Sequence, residues 1–138
     1  MIVVDSNVLM YAAGAEHPHK GPSVDFLQRV AEGEIDAIVN AETLQEVLHR
    51  YRSIRRWEDG RRVYDLTRRL FPSVQPITDE ILDEARRLLD RYTHLVARDA
   101  VHAAVCRHVH ARALCSYDTD FDSIAEIRRI EPGDDLIV

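Results

Sequence analysis

Lysine is nearly missing from this 138-residue chain: Lys20 is the only one, and arginine carries the rest of the side-chain positive charge. Phosphoryl transfer to an aspartate needs a second acid beside the nucleophile and a lysine downstream. Here the residue two after Asp5 is Asn7, not an acid, and the only lysine is Lys20, so that chemistry is disfavoured. Cysteine is also scarce. Cys106 and Cys115 have neither metal-ligand spacing nor a disulfide framework around them, which fits a reducing compartment. Cys106, His108 and His110 alternate at a period of two, which does not converge on a helix face, and His17 and His19 stand apart in a loop, so zinc is disfavoured. No apolar run is long enough to span a bilayer. The amino terminus lacks the basic and apolar regions of a signal peptide, so the expected location is cytoplasmic. No glycine-rich phosphate loop of either kind occurs, leaving nucleotide binding unsupported. Without repeats, low-complexity tracts or linkers, residues 1–138 read as a single domain.

What is there describes an ordinary globular protein, with 46% hydrophobic and 30% charged residues. A chain of this length buries roughly two thirds of its unfolded surface. The net charge of -6 argues against a uniformly basic coat, but the charge is uneven. Residues 49–69 hold eight arginines against Glu58, Asp59 and Asp65, a local balance of +5. Residues 116–138 hold seven acids against Arg128 and Arg129, a balance of -5. The first stretch, including Arg52, Arg55 and Arg56, suits contact with phosphates or an acidic partner, and equally reads as a solvated surface.

Ile2-Val3-Val4 is a short β-branched run that reads as a strand buried on both faces. Asp5-Ser6-Asn7 follows it, and Val8 to Ala12 resumes as helix. A loop spans Glu16 to Pro22, and Ser23 is placed to cap the next helix. Ile35 to Val39 reads as a second strand, with Asn40 capping a helix whose stripe is Leu44, Val47, Leu48 and Tyr51. Asp59-Gly60 reads as a break before a helix through Val63, Leu66 and Leu70. Val74 to Ile77 is an edge strand at best because of Pro76. Thr78 caps a helix with Asp79 and Glu80 in its first turn, where the dipole favours anions. Asp99 to His108 is apolar nearly all round and should be deeply buried. Ala113 to Ser116 is a strand, and Ile127 to Ile130 and Leu136 to Val138 are candidate last strands. Strands alternating with helices predict an α/β fold with a central, mostly parallel sheet and helices on both faces.

Carboxylates recur where elements end: Asp5, Asp99, Asp118 and Asp120, with Glu42 and Glu46 on the helix between. Ligands of open α/β sheets sit at the carboxyl ends of strands, which is where Asp5 falls. Grouped carboxylates raise one another's pKa, and a hard divalent cation relieves them. Such a site activates water and stabilises charge on a phosphodiester. Each acid also has a plain reading. Asp5 and Asp99 are potential helix caps, Asp118 and Asp120 turn formers, and Glu42 and Glu46 lie opposite their helix's apolar stripe. His102 reads as a satisfied core histidine and Ser116 as a strand-end hydroxyl.

Four segments in order resemble the motifs of PIN domains, and most closely the VapC toxins of type II toxin-antitoxin systems. They are Val4-Asp5-Ser6-Asn7-Val8-Leu9, Glu46-Val47-Leu48, Arg98-Asp99-Ala100-Val101-His102-Ala103-Ala104 and Ser116-Tyr117-Asp118-Thr119-Asp120-Phe121. The resemblance implies a three-layer α/β/α domain and a Mg²⁺- or Mn²⁺-dependent endoribonuclease acting on structured RNA such as tRNA or rRNA. It also implies a cognate antitoxin and a homodimer. Carried over by position, Asp5, Glu46, Asp99 and Asp118 match the acidic quartet, with Asp120 an equal match at the fourth place. Asn7 would orient Asp5 or metal-bound water, and the arginines would guide the RNA backbone. Ser6 stands where threonine is commoner and keeps the hydroxyl. A catalytically silent PIN-like module that binds only RNA or protein is the alternative.

Overall fold

The computed structural model describes residues 1–135, so Leu136–Val138, read above as a last strand, lie outside the described residues. Four short strands form one sheet in the order β2-β1-β3-β4: β1 (Ile2–Val4), β2 (Ala37–Ile38), β3 (Ala113–Cys115) and β4 (Arg129–Ile130). Every pairing is parallel, with Ile2 beside Ala37 and Ala113, and Leu114 beside Arg129. Six helices connect them: α1 (Ser6–Ala13), α2 (Lys20–Ala31), α3 (Ala41–Ser53), α4 (Trp57–Leu70), α5 (Asp79–Arg91) and α6 (Ala97–His108).

Strand alternation divides the core in two. Val3 and Leu114 point to one face and pack with Ile81, Ala85 and Leu88 of α5 and Ala100, Ala103 and Ala104 of α6. Ile2, Val4, Ala113 and Cys115 point to the other and meet Val8 and Leu9 of α1 and Phe26 and Leu27 of α2. The result is the expected three-layer α/β/α arrangement. A hairpin of α3 and α4 extends from the second face around Val47, Tyr51 and Val63.

Asn40 and Thr78 cap α3 and α5 as expected, Asn40 accepting from both Glu42 and Thr43 N–H. Three local readings change. Ser23 is not a cap: α2 begins at Lys20, and Ser23 Oγ donates back to the His19 carbonyl at 2.6 Å. Gly60 is not a break but lies inside α4, where a Cβ would come within 2.5 Å of Tyr51 Cβ. The glycine is a close-packing device between the hairpin helices. Near Pro76 the chain makes only an isolated parallel bridge, between Gln75 and Asn40, rather than a strand.

Candidate active site

β1 and β3 run parallel and side by side, so the residues just beyond them meet at one end of the sheet. Asp5 follows β1 and caps α1, its Oδ1 accepting from Ser6 N–H at 2.7 Å. Its Oδ2 accepts from Ser116 Oγ, just past β3, at 2.6 Å and from Asn7 Nδ2 at 3.3 Å. Ser116 Oγ also accepts from Asn7 Nδ2 at 3.1 Å and from Asp118 N–H at 3.0 Å. Asn7 Oδ1 accepts from Tyr117 N–H at 3.3 Å. Asp5, 5% exposed, is thus fixed by donors from both flanking segments.

α3 and α6 bring the next pair. Glu46 accepts from Ser6 Oγ through Oε2 and from His102 Nε2 through Oε1, the latter at 2.7 Å. Burial raises the Glu46 pKa, but the hydrogen bonds from His102 and Ser6 outweigh it and leave the pKa below the ordinary value. His102 is fully buried, with Nε2 also 3.6 Å from Asp5 Oδ1 and Nδ1 3.0 Å from Asn40 Nδ2. Asn40 Oδ1 is committed to capping α3, so its amide N–H faces Nδ1. Nδ1 therefore accepts, and Nε2–H donates to Glu46. Burial lowers the His102 pKa, yet Glu46, Asp5 and Asp99 together lift it to about 9. A second proton would meet the Asn40 amide, so the capping geometry opposes that shift and favours the neutral ring.

Asp99 lies in the first turn of α6, 6% exposed, and is the group left without compensation. Burial, then the charges of Asp118 and Asp5, push its pKa to about 7. Asp118 caps the 3-10 turn Thr119–Ser123, accepting from Asp120 N–H at 2.9 Å. Carboxylate oxygens of Asp99, Asp118 and Asp120 lie within 4.8 Å of one another, as do ligand atoms of Asp5, Glu46 and His102. Both ring nitrogens of His102 already have partners. The available donor set is therefore carboxylate oxygen, which suits a hard divalent cation better than a softer metal. Burial pushes the Cys106 thiol up to about 12 and Cys115 further, so neither is poised as thiolate.

The four acids thus come from four elements and form two groups, Asp5 with Glu46 and Asp99 with Asp118, with Asn7 beside Asp5 and Asp120 beside Asp118. The arginines are more scattered. Arg56 is tied to Asp59 at 2.7 Å, Arg52 lies 4.7 Å from the centroid of the Trp57 ring, and Arg55 sits exposed at the α3–α4 turn with φ 58°. Much of the carboxyl-terminal acidity is already paired: Arg129 binds Asp122 and Glu131, and Arg91 binds Glu126. Ser116 and His102 are the site residues that the sequence reading set aside. His102 is indeed buried and bonded, but to Glu46. Its position one helical turn after Asp99 was the available signal.

A family model described as "PIN domain" matches residues 2–127. Ribonuclease VapC13 of Mycobacterium tuberculosis is 41% identical over 130 residues, covering 94% of this chain and 99% of that protein. The chain belongs to the PIN-domain family of VapC ribonucleases. Solved relatives share the fold at low identity. A toxin-antitoxin complex from Klebsiella pneumoniae aligns with TM-score 0.67 and 18% identity over 96% of this chain and 98% of that one. Mycobacterium tuberculosis VapC20, a sarcin-ricin loop cleaving toxin, aligns with TM-score 0.70 and 19% identity over 93% and 99%. Among the described residues no helix is long and apolar enough to cross a membrane.

Proposed function

We propose that the protein is a metal-dependent endoribonuclease, the toxin of a type II toxin-antitoxin pair, acting in the cytoplasm as one domain over residues 1–138. The observation that carries this reading is the meeting of two carboxylate groups, Asp5 with Glu46 and Asp99 with Asp118 and Asp120, at the carboxyl end of the sheet, where Asp118 and Asp5 both raise the Asp99 pKa. Asp5, Asp99 and Asp118 would hold Mg²⁺ or Mn²⁺, with Glu46 and Asp120 completing the site directly or through water. Such a cation, when bound, supplies an activated water and offsets charge developing on the phosphodiester.

The chain's own residues do the positioning. Ser116 and Asn7 fix one carboxylate oxygen of Asp5, leaving its orientation independent of the ligand. His102 and Ser6 fix Glu46 in the same way. Glu46, its pKa lowered by these bonds, presents an anionic wall to the site. Arg52, Arg55 and Arg56 guide the RNA backbone from the hairpin beside the site. The substrate is structured RNA, tRNA or rRNA, and the partners are a cognate antitoxin and a second copy of the chain. The Klebsiella toxin-antitoxin complex supports the antitoxin partner, and VapC20, a sarcin-ricin loop cleaving toxin, supports an RNA substrate.

The test is cleavage of RNA by purified protein with added Mg²⁺ or Mn²⁺, beside the Asp5→Asn and Asp99→Asn variants. Metal-dependent cleavage that both variants lose is expected. Full cleavage by either variant, or metal binding by calorimetry without cleavage by the parent, overturns it, the latter in favour of a silent binding module.

A further inference from the structure

A cleft of about 630 Å³ lies between α3 and the start of α6. Glu42 and Glu46 line it from α3, Ser6 from α1 and Arg98 from α6. Ser6 and Glu46 are hydrogen-bonded members of the first carboxylate group, and Arg98 directly precedes Asp99 of the second.

Arg98 is set apart by what it does not bind. The other arginines of α5 and α6, Arg86, Arg87, Arg91 and Arg107, each close an ion pair at 2.5 to 3.2 Å. Arg98 is exposed, and its side chain closes no ion pair or hydrogen bond among the described residues. Acids are not scarce around it. Burial is the largest influence on the pKa of Glu42, Glu46 and Asp99, and at all three the charge of Arg98 works against it. A side chain needed only to temper these acids would gain most by pairing with one of them. Arg98 is near three and pairs with none, so its fork of N–H donors is kept for another acceptor.

The acceptor follows from the chemistry of the fork. A guanidinium binds planar pairs of oxygens, in carboxylate or phosphate, through two parallel hydrogen bonds. The carboxylates at hand are not so bound, and the reaction proposed above brings a phosphodiester to them. A phosphodiester among carboxylates meets repulsion at its non-bridging oxygens. Fixed donors aimed at charge that develops in the transition state are worth most in such a place, because they need no reorganisation there.

We infer that Arg98 is a catalytic residue, its guanidinium set against the non-bridging oxygens of the scissile phosphate while the displacement proceeds. A bond forms from the water oxygen to phosphorus, the bond from phosphorus to one ester oxygen breaks, and that oxygen keeps the electron pair. One water proton ends on the leaving oxygen and the other goes to solvent as the product phosphate ionises. Arg98 stays protonated throughout. The inference rests on the ribonuclease reading above and adds to its machinery a residue outside the two acid groups.

The test is single-turnover cleavage of a short RNA by the full chain with Mg²⁺ at saturating protein, beside RNA affinity by fluorescence anisotropy and Mn²⁺ affinity by calorimetry. Arg98→Gln should lower the saturated rate about 100-fold, the loss of one preorganised donor, and leave Mn²⁺ binding no weaker. Arg98→Lys keeps the charge without the fork and should recover part of the rate. Arg128, also exposed and without an ion pair among the described residues, precedes β4 at the other end of the sheet. Arg128→Gln should leave the rate unchanged. A saturated rate unmoved by Arg98→Gln, a loss confined to RNA affinity, or an equal loss in Arg128→Gln overturns the catalytic role. Weaker Mn²⁺ binding by Arg98→Gln also overturns it, and makes the residue a support of the acids. A parent that binds RNA without cleaving it fails the ribonuclease reading instead. The phosphate contact then stands only if Arg98→Gln lowers affinity and reduces the slope of log affinity against log salt by about 0.7 on a single strand.

Discussion

The two acid groups at the end of the sheet meet like-charge repulsion in different ways. Asp5 and Glu46 accept hydrogen bonds from Ser6, Asn7, Ser116 and His102, so their charge is matched by donors the protein supplies. Asp99 is buried beside Asp118 and Asp5, and no hydrogen-bond donor is among the groups that oppose its raised pKa. The first group is complete as folded. The second lacks such donors, and the comparison separates carboxylates oriented by the protein from carboxylates that a cation would have to match.

The sharpest way to break that comparison is Asp99→Asn. If Asp99 chiefly holds a cation, the change should lower RNA cleavage on the order of a thousandfold, because metal charge stabilisation is worth several kcal/mol. The same variant should keep or raise the metal-free melting temperature at neutral pH, since it removes a buried charge without a matching donor. A fall in both cleavage and metal-free stability would place Asp99 with the wired group instead.

Ser116→Ala probes the other side. It removes a donor from Asp5 Oδ2 and an acceptor from Asn7 and Asp118 N–H together. Metal affinity or activity should fall about 10- to 100-fold, as for residues that orient ligands. Here metal-free stability should also fall, by about 1–3 kcal/mol for the polar groups left unpaired. Calorimetric titration with Mn²⁺ and urea unfolding measure the two effects, and an unchanged affinity would show that Asp5 needs no such support.

A third contrast is in pH. The folded pKa of Asp99, about 7, lies above its ordinary value of 3.8, so the metal-free folded chain holds a proton that the unfolded chain has released. That contribution to stability is full below about 3.8, shrinks as pH rises and is gone above about 7. A cation replaces the proton. The rise in melting temperature on adding Mg²⁺ should therefore be larger near pH 8 than near pH 5.5, by about the several-degree shift that 1 kcal/mol gives a domain of this size. An equal rise at both would mean that Asp99 does not face the cation.

Legibility in the sequence follows the range of the interactions. β1 was readable because Ile2, Val3 and Val4 are buried on both faces, and Asn40 and Thr78 because a cap acts within three residues. Ser23 misled because a hydroxyl serves equally as a cap or as a donor one turn back, and only the backbone decides. Glu46 was hidden by its helix. The stripe of Leu44, Val47, Leu48 and Tyr51 placed it in solvent, yet Leu48 is itself 37% exposed, and Glu46 turns to a histidine 56 positions later. Family resemblance located it where periodicity did not. Ser116 and His102 share that difficulty, since each matters through a partner brought near only by the sheet.

The smallest effect expected falls on Asn40, where the wired group is anchored. Its side chain caps α3 through Oδ1 and meets His102 through Nδ2, so a single amide sets both the start of the helix carrying Glu46 and the tautomer of the ring that binds Glu46. Asn40→Ala should cost about 1–2 kcal/mol in urea unfolding, the loss of a cap. Asn40→Asp keeps the cap acceptor but replaces the amide donor with a carboxylate facing Nδ1. The opposition to a second proton then disappears, and ¹⁵N shifts of the His102 ring should move toward imidazolium at neutral pH. A ring that stayed neutral in Asn40→Asp would mean that the Asn40 amide does not set its protonation, and that Glu46 is held by a donor whose state is fixed elsewhere.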